Sequence, residues 1–250
     1  ERPTTAFTVP SHWQRLFALD ALPPSPYRLV AHAGSACPPE LKRRLHAWAG
    51  ASSVWEFYGS TEGQFAACSG PEWESRPGTL GLPRQGRRLF IDEGVIWCET
   101  PDYSRFEYWQ DPEKTAAAWR PTVDGGSAFT VGDLGRLDED GYLFLDGRRE
   151  DLIITGGMNV YPAHVEAVLS AVDGVAEIAV FGVDDDLWGQ RVCAAVVGSA
   201  SDEAINAAGT AHLAGYQRPK VIYRLTELPR NAMGKIQRLE LPRHLAIDPD

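Results

Sequence analysis

The sequence predicts an α/β protein followed by a small α+β domain. Three observations carry that prediction. Helical periodicity alternates with short apolar runs over the first 80 residues. From about residue 80 to 149 the texture turns β-rich, and near Glu150 a fresh mixed pattern begins that runs to the end of the chain.

Each element follows from its residues. Residues 10–19 place Trp13, Leu16 and Phe17 on one helical face, and residues 27–31 read as a short strand. Pro38-Pro39 opens a helix over 40–48 with Leu41, Leu45 and Trp48 at helical spacing. Gly50 stands where a C-cap glycine belongs, and residues 53–57 form the next strand. This order gives parallel-strand character. In the β-rich stretch, residues 88–91, 95–98 and 142–145 are strand-like, and Asp92-Glu93-Gly94 and Asp138-Glu139-Asp140-Gly141 read as hairpin turns. A small antiparallel or barrel-like unit is expected there. Beyond Arg149 come a strand over 151–155, a tight turn at Gly156-Gly157, and a helix over 162–171 with Val165, Val168 and Leu169 inward. Strands over 175–181 and 192–197, a helix over 202–214 and a strand over 221–225 complete a domain spanning 150–250, after a first domain spanning 1–149.

Composition excludes several classes. No apolar run approaches the ~18 residues of a membrane-spanning helix, and the start, Glu1-Arg2-Pro3-Thr4, lacks the basic-then-apolar pattern of a signal peptide. The first residue is not Met, so the chain is expected to begin downstream of its gene's start. With 24 Lys and Arg against 34 Asp and Glu, the net charge is −10, which argues against general nucleic-acid binding. Cys37, Cys68, Cys98 and Cys193 form no C-x-x-C pair and no zinc-like cluster, as expected of reduced thiols in a cytoplasmic protein.

Three segments could carry chemistry. Tyr58-Gly59-Ser60-Thr61-Glu62-Gly63 follows a strand, where backbone and hydroxyl donors can approach phosphate and a carboxylate can hold Mg²⁺. It reads equally as a solvated loop. Val131-Gly132-Asp133-Leu134-Gly135-Arg136, continuing through Gly147-Arg148-Arg149-Glu150 to Tyr161-Pro162, sets Asp133 between glycines. A carboxylate there suits a ribose diol, or else it caps a turn. Leu228-Pro229-Arg230-Asn231-Ala232-Met233-Gly234-Lys235-Ile236 puts a lysine on a glycine-containing turn, as a mobile cation or an ordinary exposed one.

Together, in order and spacing, these segments resemble the adenylate-forming superfamily of acyl-CoA synthetases, luciferase-like enzymes and peptide-synthetase adenylation domains. The resemblance runs from about Val9 to Arg238. It implies a two-step reaction in which a carboxylic acid attacks ATP to give an acyl-adenylate and pyrophosphate, and a thiol then displaces AMP. It implies that Thr61 contacts phosphate, that Glu62 holds Mg²⁺, and that Tyr58, Gly59 and Ser60 lie near the nucleotide. Gly34-Ser35-Ala36 would form another wall of the pocket. Asp133 and Arg148 would reach the ribose, and Lys235 would bridge carboxylate and α-phosphate in the first step. Glu150 falls at the hinge about which the family's C-terminal domain rotates between steps. The rotation brings in the Gly156-Gly157 turn, whose small residues pass the pantetheine arm.

Trp188 and Tyr216 look like the aromatic contacts to CoA adenine, and Arg218 and Lys220 like its phosphate contacts. The alternative is that Trp188 belongs to the core and the two cations form a solvated pair. The implied reaction is that of an ATP-dependent CoA ligase for a fatty or aromatic acid. An adenylation domain that loads a carrier protein is the second reading, and a noncatalytic nucleotide-binding fragment the third. The family's Ser/Thr/Gly-rich phosphate loop would lie before residue 1. Residues 1–80 are therefore expected to rely on a missing N-terminal half or on self-association to cover apolar surface.

Overall fold

A mixed sheet organises the first half of the chain. The computed structural model describes residues 3–19, 22–231 and 234–247. Its close contacts divide the chain into two units, residues 1–145 and 146–250. The first opens with β1 (Thr5–Thr8), α1 (Pro10–Phe17), β2 (Leu29–His32), α2 (Pro39–Ala49) and β3 (Val54–Gly59). β4 (Gln64–Ser69), α3 (Gly70–Ser75), β5 (Thr79–Pro83), β6 (Arg88–Asp92) and β7 (Val95–Thr100) follow. Then come α4 (Pro112–Ala118), β8 (Trp119–Pro121), β9 (Ser127–Phe129), β10 (Asp133–Leu137) and β11 (Leu143–Arg148).

Strand order is β1-β2-β3-β4-β5-β11-β10-β7-β9-β8, with β6 on β7. Among the described residues of this sheet, only β1-β2 and β2-β3 pair in parallel. This is the character expected of the first 60 residues, because α1 and α2 provide the crossovers. Trp13, Val30, Leu41, Leu45 and Val54 form the core between those helices and strands. α2 is held by Pro39 at its start, by Glu40 in its first turn and by Gly50 at φ +82° after it.

The β-rich stretch is antiparallel, as expected, and is continuous with the strands before it. β11 pairs with β5, Leu143 opposite Gly81, so both parts of the first half share one hydrogen-bonded sheet. Phe65, Leu89, Ile96, Phe129 and Leu143 bury together behind it.

The second unit contains β12 (Ile153–Thr155), β13 (Met158–Val160), α5 (Pro162–Leu169), β14 (Val175–Asp185), β15 (Gly189–Gly198), α6 (Asp202–His212), β16 (Val221–Arg224) and α7 (Leu241–His244). Its sheet runs β13-β12-β15-β14, with β16 parallel to β15. Alternation along β14 sends Ile178 and Val180 to the core under α5 and α6. Ala179, Phe181 and Val183 face the opposite way, onto Leu228 and Leu241. A sheet covered on both faces needs unbroken apolar strands, which is why residues 175–181 and 192–197 read so clearly. Arg238 ties this unit internally: it donates to Asp151 at 2.9 Å, Glu166 at 2.6 Å and the Val180 carbonyl at 2.7 Å.

Several expected boundaries shift. The first helix stops at Phe17, α5 at Leu169 and α6 at His212, each shorter than its apolar period suggested. The strands expected at 27–31 and 53–57 are Leu29–His32 and Val54–Gly59. Arg149–Asp151 is a 3-10 turn, and the strand expected over 151–155 begins only at Ile153. Asp151 is drawn into that turn by Arg238.

Candidate functional site

β2 and β3 are neighbouring parallel strands, so the segments leaving them emerge at the same end of the sheet. After β2 come Gly34, Ser35 and Ala36, all exposed. After β3 the chain reverses into antiparallel β4 through Ser60-Thr61-Glu62-Gly63. That turn is closed by Ser60 N–H to Gly63 O at 2.9 Å and Gly63 N–H to Ser60 O at 3.3 Å. Gly59 is required by close approach, since a Cβ there would stand 2.6 Å from Gln64 Cα. The hairpin tip thus offers an exposed Thr61 hydroxyl beside a half-buried Glu62 carboxylate.

Asp133 opens β10 and is 5% exposed. The Tyr58 hydroxyl donates to its Oδ2 at 2.6 Å, and the Tyr58 ring lies 5.2 Å from Phe65. Tyr58 and Asp133, 75 residues apart in sequence, are thus joined by a direct hydrogen bond.

Glu62 is the strongest candidate metal ligand. Burial pushes its carboxyl up, but the Ser60 and Tyr108 hydroxyls, its own backbone and Lys114 outweigh that and hold it below the ordinary carboxylate range. Among the described residues no group of three or more His, Cys, Asp or Glu could hold a metal. A single ionised carboxylate fits Mg²⁺, which shares its coordination with phosphates and water.

Tyr108 was not singled out in the sequence. Its hydroxyl donates to Glu62 Oε1 at 2.8 Å. Burial and that bond push the phenol up to about 12. The Asp111-Pro112 cap of α4 was a local signal for the element that supports it.

In the second unit, Gly156 and Gly157 have φ +56° and +76° and form the two-residue turn between β12 and β13. Gly156 N–H donates to the Trp188 carbonyl at 2.8 Å, and a Cβ on Gly156 would stand 3.0 Å from the Trp188 ring. The structure thus brings Gly156, Gly157 and a half-exposed Trp188 together. Arg218 donates to the Leu213 and Thr210 carbonyls at 3.0 and 3.3 Å, and Lys220 to the Gly215 carbonyl at 3.2 Å. These two cations close the end of α6. Tyr216 is partly exposed on the same stretch. Arg148 and Glu150 face each other at 3.4 Å on the exposed turn after β11. Lys235 is exposed; its N–H donates to Asn231 Oδ1 at 3.0 Å and its carbonyl accepts from Asn231 N–H at 2.9 Å. Ala232 and Met233 of that motif lie outside the described residues.

Two family models match: AMP-binding enzyme over residues 1–94 and AMP-binding enzyme C-terminal domain over residues 164–235. A 2-succinylbenzoate–CoA ligase from Geobacillus sp. (strain WCH70) is 40% identical over 205 residues, 75% of this chain and 40% of that protein. The o-succinylbenzoate CoA synthetase MenE from Bacillus subtilis, solved with the acyl-adenylate OSB-AMP, superposes with a TM-score of 0.84 at 29% identity, over 96% of this chain and 51% of that one. ATP-bound MatB from Rhodopseudomonas palustris gives a TM-score of 0.86 at 31% identity, over 98% and 52%. The chain spans about half the length of these relatives or less.

Proposed function

The chain belongs to the adenylate-forming superfamily, and from that premise we propose that it serves an ATP-dependent acid–thiol ligase that makes an acyl-CoA through an acyl-adenylate. The observation that carries this reading is the grouping in the first unit. The Thr61–Glu62 hairpin tip, the Gly34-Ser35-Ala36 segment and the Tyr58–Asp133 pair all leave one scaffold of strands.

Each residue has a task that its chemistry suits. Thr61 would donate to phosphate, Asp133 would accept from ribose hydroxyls, and Glu62 would hold Mg²⁺, whose charge would offset that of the phosphates. Lys235, exposed on a pinned turn, offers a compact cation to the carboxylate and α-phosphate in the first step, and Arg148 adds a ribose donor. Glu150 lies on the exposed 3-10 turn from which a rotation of the 150–250 domain would pivot. The Gly156-Gly157 turn with Trp188 against it suits the thiol step, and Trp188 with Tyr216 suits the CoA adenine. Arg218 and Lys220 support CoA phosphates less directly, because part of their donor capacity is engaged at the end of α6. Fatty and aromatic acids both fit the reading.

One sheet face supports a further partner. Phe7 is 64% exposed and lies 6.2 Å from Phe57, which lies 6.5 Å from Trp55. This row faces away from the α1–α2 core. Polypeptide corresponding to the remaining length of the relatives, or a second copy of this chain, would cover it. Light scattering after size exclusion distinguishes a dimer from a monomer.

The function itself is tested by incubating the chain with ATP, Mg²⁺, CoA and a mixture of fatty and aromatic acids, with mass spectrometry of the products. An acyl-CoA identifies the acid. If a polypeptide of the relatives' full length that includes this sequence also gives neither acyl-adenylate nor acyl-CoA, the reading fails.

A further inference from the structure

We propose that Tyr108 is a positioning residue for the metal carboxylate: it holds Glu62 Oε1 so that the other oxygen is presented to Mg²⁺. The inference rests on the reading of Glu62 as the Mg²⁺ ligand and adds a residue to it.

The Tyr108 Oη to Glu62 Oε1 bond, 2.8 Å long, joins two segments that are each fixed from behind. Tyr108 N–H donates to Thr115 Oγ1 at 2.9 Å, and the Thr115 hydroxyl donates to the Asp111 carbonyl at 2.8 Å. Asp111 Oδ1 in turn caps α4 by accepting from Lys114 N–H at 2.9 Å. The Lys114 ammonium then lies 4.1 Å from the centre of the Tyr108 ring, a cation over its face. On its other side Tyr108 meets Phe106 edge to face at 5.4 Å.

Phe106 rests on Phe129 at 5.3 Å, and Phe129 also closes against Gly63 of the hairpin tip, where a Cβ would come within 2.9 Å of its ring. Donor and acceptor are therefore supported by the same buried aromatic group. By contrast, Trp109, the next residue along, is 88% exposed and held by none of these contacts.

The chemistry follows. Mg²⁺ demands near-octahedral geometry from its few protein oxygens. A glutamate on a hairpin tip otherwise samples several rotamers, and only some aim an oxygen at the metal. A neutral phenol restricts the carboxylate through one oxygen without competing for the metal's charge, and partners of this kind typically change metal affinity by roughly 10–100-fold.

The test is calorimetry of ATP binding across an Mg²⁺ titration, on the wild-type chain, Tyr108→Phe and Glu62→Gln. In Tyr108→Phe the Mg²⁺ concentration giving half the full enhancement of ATP affinity should rise by about tenfold or more, while affinity for ATP in EDTA stays within about twofold. If Glu62→Gln loses the enhancement and Tyr108→Phe keeps the wild-type midpoint, Glu62 binds the metal and the role of Tyr108 is refuted. If Tyr108→Phe weakens metal-free and metal-bound binding equally, Tyr108 merely supports the fold, which also refutes it. A Glu62→Gln chain with an unchanged Mg²⁺ midpoint, or a wild-type chain that binds no ATP, overturns the metal reading and this inference together.

Discussion

Acid should destabilise the first unit through one histidine. His32 ends β2, is 0% exposed, and neither ring nitrogen has a hydrogen-bond partner among the described residues. The groups around it are Glu56, whose Oε1 lies 3.8 Å from Nδ1, the Lys42 ammonium and the His46 imidazole. Burial, then Lys42 and His46, push the imidazole down from 6.5 to about 3. The unfolded chain therefore takes up a proton below about 6.5 while the folded chain does not, so stability falls as pH falls from 6.5 toward 3. At pH 4.5, two units below the unfolded value, the loss is about 3 kcal/mol.

Comparison with His32→Asn isolates this contribution, because the other titrating groups are common to both chains. Seven of the eight tryptophans lie in the first unit, so fluorescence-monitored urea unfolding reports on it. At pH 7.5 the variant should be the less stable chain through lost packing. At pH 4.5 the difference should have moved in its favour by about 3 kcal/mol. A difference that stays within about 0.5 kcal/mol between the two pH values would refute the reasoning.

Four further outcomes are expected. Lys42, 2% exposed, is paired with Glu56, 6% exposed. Lys42→Met should cost about 3–5 kcal/mol by stranding a buried carboxylate, and Lys42→Met with Glu56→Leu much less, both read by urea unfolding. Lys235→Ala in the active enzyme should abolish acyl-adenylate formation yet spare thioester formation from supplied acyl-AMP, with an unchanged melting temperature because the side chain is exposed. Gly157→Leu should do the reverse, with about 1–2 kcal/mol of added backbone strain at φ +76°; equal loss of both steps in either variant would contradict the assignment. Burial pushes the Cys37 and Cys68 thiols up to about 12, so both should label slowly with a thiol reagent at pH 8 in the folded chain and rapidly in urea. Rapid labelling of the folded chain would show that the cores around them open.

Much of this was legible because some residues admit few conformations. Pro39 and Gly50 bounded α2, and Glu93-Gly94 and Gly156-Gly157 could only be turns. The double-sided core of β14 and β15 wrote itself as apolar runs, yet the ladder extends to Asp185 opposite Gly189. Those polar ends are held by backbone pairing, which leaves no hydrophobic trace. β4 escaped because Ala66 and Ala67 carry little strand signal, although the strand pairs on both sides. The candidate site residues were named from their motif, but their relations were not. The bonds from Tyr58 to Asp133 and from Tyr108 to Glu62 span 75 and 46 residues, and no local pattern encodes them.

The guanidinium of Arg238 acts as a coupling in the mechanical sense. It sits three residues beyond Lys235 and grips Asp151, Glu166 and the Val180 carbonyl at once. Before Lys235, Asn231 holds its backbone, and Arg230 pairs with Glu177 on β14. The lysine is thereby geared to the turn at 149–151. A few degrees of torsion at that turn, multiplied by the length of the domain, would carry the ammonium along an arc as the end of a rigid crank. If the domain pivots at Glu150 as proposed, Lys235 and Asp151 would swing together, because Arg238 makes them ends of one rod.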